Sequence, residues 1–185
     1  YFSLVLININ IITTYFINSG MSQIKKINNN MIKKLTILIL LFSSIHIVCQ
    51  ENQLTWYDDV SKAIPVAVAK KKPIMLFFTG SDWCGWCMRL KREVFNLPDF
   101  KTWSDENVIL VELDFPRRKR LPENIMKQNR ELANVFAVRG YPTVWIVEPQ
   151  IMENKVNFLK MGTLGYVAGG PENWIGRANN FLAKP

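Results

Sequence analysis

Metal ligands are scarce in this sequence, which has one histidine, His46, and three cysteines, Cys49, Cys84 and Cys87. A structural zinc site takes four ligands, commonly two close cysteine pairs or one pair with two histidines. The chain offers a single close pair, Cys84 and Cys87. A c-type haem would need histidine straight after Cys87, where Met88 stands. Copper(I), held by the two thiolates with Met88 or Met161 nearby, stays open as an alternative. The same scarcity excludes a disulfide-stapled scaffold, because a bridge closing so short a loop restrains little of the unfolded chain.

Unbalanced charge is also in short supply once the chain is divided. The formal net charge of the whole is +8, but Lys25, Lys26, Lys33 and Lys34 precede any folded domain. From Gln50 onward 19 basic residues face 15 acidic ones, an excess too small to indicate nucleic acid. The densest basic run is Arg117-Arg118-Lys119-Arg120. A solvated loop explains it, and an acidic partner or an anionic membrane surface is the sharper reading.

Long apolar runs are missing too. "LTILILLFSSIHIV", after Met31-Ile32-Lys33-Lys34, is short of the roughly 20 residues that span a bilayer. With its basic start it reads as a secretory signal over residues 31–49, cleaved near Cys49-Gln50. An uncleaved anchor or a lipid-modified Cys49 is the alternative. Residues 1–30 read as an upstream or non-native extension, with an uncharged first membrane segment as the rival. The folded domain is then expected over 50–185, with no internal repeat or low-complexity stretch.

Within it, apolar periodicity predicts a helix from Trp56 to Lys72, kinked or broken at Pro65. "PIMLFF" follows as a strand buried on both faces. A helix is expected from Cys84 to about Phe95 and a short one over Asp99 to Ser104. "NVILVELDF" predicts a second buried strand, and Pro122 to Phe136 a helix with Leu132, Val135 and Phe136 on one face. "GYPTVWIVEP" and "KVNFLKMG" predict two more strands, and Gly169 to Leu182 a last helix. Strands alternating with helices indicate an α/β sandwich around a small mixed sheet.

The stretch "FFTGSDWCGWCMRLKREVF" therefore places Cys84 where a buried strand ends and a helix begins. Its sulfur would face unpaired backbone N–H groups and the positive end of the helix dipole, which favour thiolate over thiol. Cys87 lies one turn inward and can attack a mixed disulfide formed at Cys84. Gly85 lets the chain turn tightly. Such a pair suits thiol–disulfide exchange. Asp82 either opposes the thiolate by its charge or caps the helix.

That stretch, "VRGYPTVWIV" and the "KMGTLG" turn together resemble the thioredoxin superfamily, nearest to exported bacterial thioredoxin-like thiol–disulfide oxidoreductases. The resemblance covers about Leu54 to Ala183. It implies a thioredoxin-like three-layer sandwich with a mixed central sheet flanked by helices. It also implies a Cys84–Cys87 redox disulfide, Cys84 as nucleophile and Cys87 as resolving thiol. Trp83, Tyr141, Pro142 and Gly162 are implied as the substrate-binding rim, with a cis bond before Pro142. Trp86, a departure from the family's proline or histidine, covers the site or offers substrates an apolar contact. The chain departs from the family at Phe78, where a buried aspartate is usual six residues before the nucleophile. It departs again at Leu110, the place of that aspartate's lysine partner, and Glu112 is the carboxylate nearest in sequence.

The expected activity is disulfide exchange with exported proteins, in a periplasm or another extracytoplasmic space, with electrons supplied by an upstream redox partner. No bound cofactor or metal is called for, and the membrane enters only if the N-terminal segment is uncleaved. Trp86 does not fix the direction of electron flow. The rival classes are a non-catalytic peptide-binding or chaperone module and a Cu(I)-handling protein.

Overall fold

A computed structural model of the chain describes residue 34, residues 54–153 and residues 155–183. The extension, the signal segment, His46 and Cys49 lie outside the described residues. Among those residues no helix is long and apolar enough to cross a membrane.

Five strands form one sheet in the order β1-β3-β2-β4-β5. They are β1 (Trp56–Tyr57), β2 (Ile74–Thr79), β3 (Ile109–Asp114), β4 (Thr143–Met152) and β5 (Lys155–Leu164). β1, β3 and β2 run parallel, while β4 pairs antiparallel with both β2 and β5. The helices are α1 (Val60–Lys70), α2 (Gly85–Leu90), α3 (Pro98–Asn107), α4 (Glu123–Val135) and α5 (Gly170–Leu182). α2 runs on as a π-helical stretch over Lys91–Phe95.

Alternation along the strands sorts side chains to two sides. Ile74, Leu76 and Phe78 of β2, with Ile109, Val111 and Leu113 of β3, pack against Val60, Ala63 and Ala67 of α1 and Phe136 after α4. Met75, Phe77 and Leu110 point the other way, toward Cys84, Cys87, Phe95, Phe100, Trp103 and Trp174. Helices therefore cover both faces, giving the expected three layers. Every residue of β2 is buried, as its unbroken apolar run requires.

Three local expectations change. Trp56 and Tyr57 pair with Leu110 and Val111 as a parallel edge strand, so the first helix starts only at Val60, with Asp59 as its N-cap accepting from Ser61. The Trp56 ring is drawn into the core against Phe77 and Phe95, at 5.9 and 5.6 Å, and this packing overrides the helical period. Pro65 lies inside α1 without breaking it. The π stretch adds an i→i+5 bond, Asn96 N–H to the Lys91 carbonyl at 2.8 Å, which no periodicity announces.

Trp174 is fully buried at the centre of the aromatic cluster, 5.3 Å from Phe95, 5.6 Å from Phe100 and 5.9 Å from Trp103. Trp174→Ala should cost about 3–5 kcal/mol of stability in urea unfolding. A loss below about 1 kcal/mol would show that this cluster does not hold α5 to the sheet.

Candidate active site

The turn that carries the cysteines is built from the end of β2 outward. Gly80 receives the Trp83 and Cys84 N–H groups on its carbonyl, at 3.2 and 2.8 Å. A Cβ at Gly80 would overlap the Trp83 indole, so only glycine lets that ring fold back over the turn. Ser81 is tied down through both its N–H and its hydroxyl, which donate to Asp114 at 2.8 and 2.7 Å. Asp114 ends β3 in register with Thr79, so the loop is anchored to the neighbouring strand.

Cys84 then occupies the N-cap of α2, and the Cys87 N–H donates to its sulfur at 3.2 Å. The two cysteines are joined in a disulfide. Both cysteines are buried, Cys84 at 6% exposure and Cys87 at 1%, so the residue at the N-cap is the less covered of the two. Once reduced, Cys84 Sγ meets the N–H groups of the first helical turn, which stabilise negative charge there.

Trp83 donates its indole N–H to the Phe115 carbonyl at 2.8 Å and meets the Tyr141 ring edge-on at 5.7 Å. Tyr141 also packs on Phe115 at 5.3 Å, and burial pushes its phenol pKa up. The Tyr141–Pro142 bond is cis. Trp86 is 55% exposed and leans on Tyr166 at 5.2 Å. Arg89 lies over both rings, and Glu93 accepts from Arg89 at 2.9 Å and from Tyr166 at 2.6 Å.

Gly162 does not join this group. It sits inside β5 paired with Ile146, and a Cβ there would run into the Phe181 ring of α5. The glycine beside the cis-proline is Gly165, whose Cβ would come within 3.3 Å of the Pro142 carbonyl oxygen. Both lie in "KMGTLG", so the motif marks the turn and strand register decides which glycine arrives.

The position six residues before Cys84 also lands elsewhere. Phe78 points into the α1 and α4 side, away from the dithiol, and Phe77 is the β2 residue on the cysteine face. Glu112 is in register with Phe77 and binds the Lys91 ammonium through both oxygens, at 2.7 and 2.8 Å. The carboxylate on that face therefore comes from β3 and its lysine from the helix.

Asp82 is neither a cap nor a free charge. Its carboxylate accepts the N–H groups of Arg117 at 2.9 Å and Arg118 at 2.7 Å, and these bonds hold its pKa below the usual range. The Arg117 guanidinium in turn lies 4.0 Å over the Trp83 ring. Tyr166 carried no sequence signal, and neither the basic run that holds Arg117 nor the "KMGTLG" motif that holds Gly165 placed those residues at the dithiol, because chain closure in space brings them there. Among the described residues no group of three or more His, Cys, Asp or Glu side chains could hold a metal ion.

Residues 55–149 match a family profile described as thioredoxin-like. Disulfide bond reductase DsbH of Chlamydia pneumoniae is 30% identical over 129 residues, spanning 70% of this chain and 73% of that protein. Thioredoxin-related protein DsbJ of the same organism is 26% identical over 153 residues, spanning 80% of this chain and 43% of the relative. A solved DsbH oxidoreductase matches with a TM-score of 0.64 at 27% identity, over 72% of this chain and 87% of that one. A thioredoxin from Thermus thermophilus matches with a TM-score of 0.53 at 18% identity, over 71% and 88%, a likeness of fold alone.

The Asp114 anchor gives the site a pH dependence. Burial pulls its pKa upward, but the bonds from Ser81 and the Lys119 ammonium outweigh this and hold it below the usual aspartate range. A lowered folded-state pKa stabilises above the unfolded value and is lost as pH falls through the folded one. Asp114→Asn should therefore cost about 1–3 kcal/mol near neutral pH, and its difference from wild type should shrink on acidification below that range. Urea unfolding across pH checks it, and a difference that persists unchanged in acid would contradict it.

Proposed function

The chain belongs to the thioredoxin-like family and is a thiol–disulfide oxidoreductase, and we propose that it works as a disulfide reductase on exported proteins. The observation that carries the proposal is the disulfide at a helix start, with Cys84 at the N-cap and the less covered of the pair and Cys87 one turn inside. Likeness to a protein named disulfide bond reductase supports the reducing direction. The signal reading of residues 31–49 supports an extracytoplasmic site of action.

In the proposed cycle the Cys84 thiolate attacks one sulfur of a client disulfide and displaces the other as a thiolate, which takes a proton. Cys87 then gives up its proton and attacks Cys84 Sγ, releasing the second client thiolate. The client gains two electrons and two protons, and the Cys84–Cys87 disulfide is left. A dithiol partner upstream must return the pair to the reduced state. The electrons reside on the two sulfurs, so the reaction requires no bound cofactor. Glu112, held by Lys91 on the cysteine face of the sheet, is the candidate to accept the Cys87 proton.

Trp83, Tyr141 and Pro142 form the floor against which an extended client peptide lies. Trp86 offers an exposed apolar contact beside it. Gly165 rather than Gly162 gives that peptide room at the cis-proline.

Trapping tests the assignment directly. Cys87→Ser should accumulate a mixed disulfide with a model client, whereas Cys84→Ser should trap nothing and lose insulin-reducing activity by at least about a hundredfold. Trapping through Cys87 would reverse the two roles. A doubly substituted chain that keeps full function in cells would make the protein a binding module.

A further inference from the structure

The basic run Arg117-Arg118-Lys119-Arg120 is exposed along its whole length, yet its backbone is pinned beside the dithiol. Asp82, two residues before Cys84, accepts the Arg117 and Arg118 N–H groups, and Phe115 just upstream accepts the Trp83 indole N–H. Lys119 is paired with Asp114 at 2.9 Å. Among the described residues the side chains of Arg117, Arg118 and Arg120 have no carboxylate within 4.0 Å. On the far side Arg89, over Trp86 and Tyr166, and Arg92 share the single carboxylate of Glu93. Even with the Asp82 carboxylate beneath the run, the mouth of the dithiol is more basic on the Trp83 side, with those three arginines free of ion pairs, than on the Trp86 side.

We propose that Arg117 is a specificity-determining residue that selects polypeptide clients bearing a carboxylate side chain next to the disulfide cysteine. The proposal rests on the exchange reading above and names the substrate class of that site. A guanidinium lying over an indole face engages the ring through its cationic centre and keeps N–H groups for a carboxylate in two-point contact. Stacking also fixes the side chain beforehand, so less rotamer freedom is lost when the client arrives. Trp83 is adjacent to Cys84 in sequence, so the guanidinium over its ring stands beside the turn that carries the dithiol. Arg118 and Arg120 add a long-range pull on acidic chains that raises the encounter rate and fades with salt.

The test uses the reduced full-length chain in stopped flow with three peptide disulfides that differ only by Glu, Gln or Lys beside the cysteine. The Glu peptide should react about three- to tenfold faster than the Lys peptide at low ionic strength, with the ratio falling toward one at about 0.5 M salt. Arg117→Gln should bring the low-salt ratio below about twofold, and Arg117→Lys should keep part of it, since charge remains without the planar fork. Equal wild-type rates, or a preference that survives Arg117→Gln, would overturn the proposal while leaving the exchange reading intact. Charge preference confined to oxidised glutathione, run alongside, would overturn the polypeptide assignment. Failure to reduce any of these disulfides would overturn both.

Discussion

β2 cannot shift without breaking the molecule. It is hydrogen-bonded along both edges, parallel to β3 and antiparallel to β4, and all six of its residues are buried. What happens at its C-terminal end is therefore fixed by the sheet. The parallel register sets Asp114 opposite Thr79, within reach of the loop that leads to Cys84. The antiparallel register sets Thr143 opposite Phe78, so Pro142 and Tyr141 arrive at the same end from the other edge. Dithiol, loop anchor and cis-proline are distant in sequence and converge because one buried strand holds both neighbours in register.

The two faces of that sheet do different work. The side covered by α1 and α4 is aliphatic and aromatic packing around Phe78 and Phe136. The other side surrounds the cysteines with Phe77, Phe95, Phe100, Trp103 and Trp174, rings within 6 Å of one another in edge and tilted contacts. Each such pair adds roughly 0.5–1.5 kcal/mol beyond the area it buries. This ring cluster packs behind Cys87, which is 1% exposed. At the rim Asp82 organises a loop through backbone N–H groups and leaves exposed the arginine residues that follow.

Much of this was legible in the sequence. "PIMLFF" reads as a strand buried on both faces, and the C-x-x-C a few residues beyond it as the start of a helix. Tyr141-Pro142 marked the facing turn. What stayed hidden depends on phase and closure. Counting six residues back from Cys84 does not give the strand's phase, and in the fold Phe77 faces the cysteines while Phe78 does not. The antiparallel β4–β5 register pairs Gly162 with Ile146 inside the sheet and Leu164 with Val144, so Gly165 and not Gly162 comes beside Pro142. Trp56 fits a helical period and is a strand because Phe77 and Phe95 offer its ring a place. The Arg117–Trp83 stack joins residues 34 positions apart and leaves no local pattern to read.

The most direct test of the account is the equilibrium reduction potential of the Cys84–Cys87 couple in glutathione buffers. A reductase poised to give electrons to its clients should lie near roughly −270 mV, or at least below about −220 mV. A value between about −180 and −120 mV would make the pair an oxidant or isomerase, its thiolate over-stabilised by the helix terminus. A pair that does not cycle reversibly would contradict the redox assignment altogether.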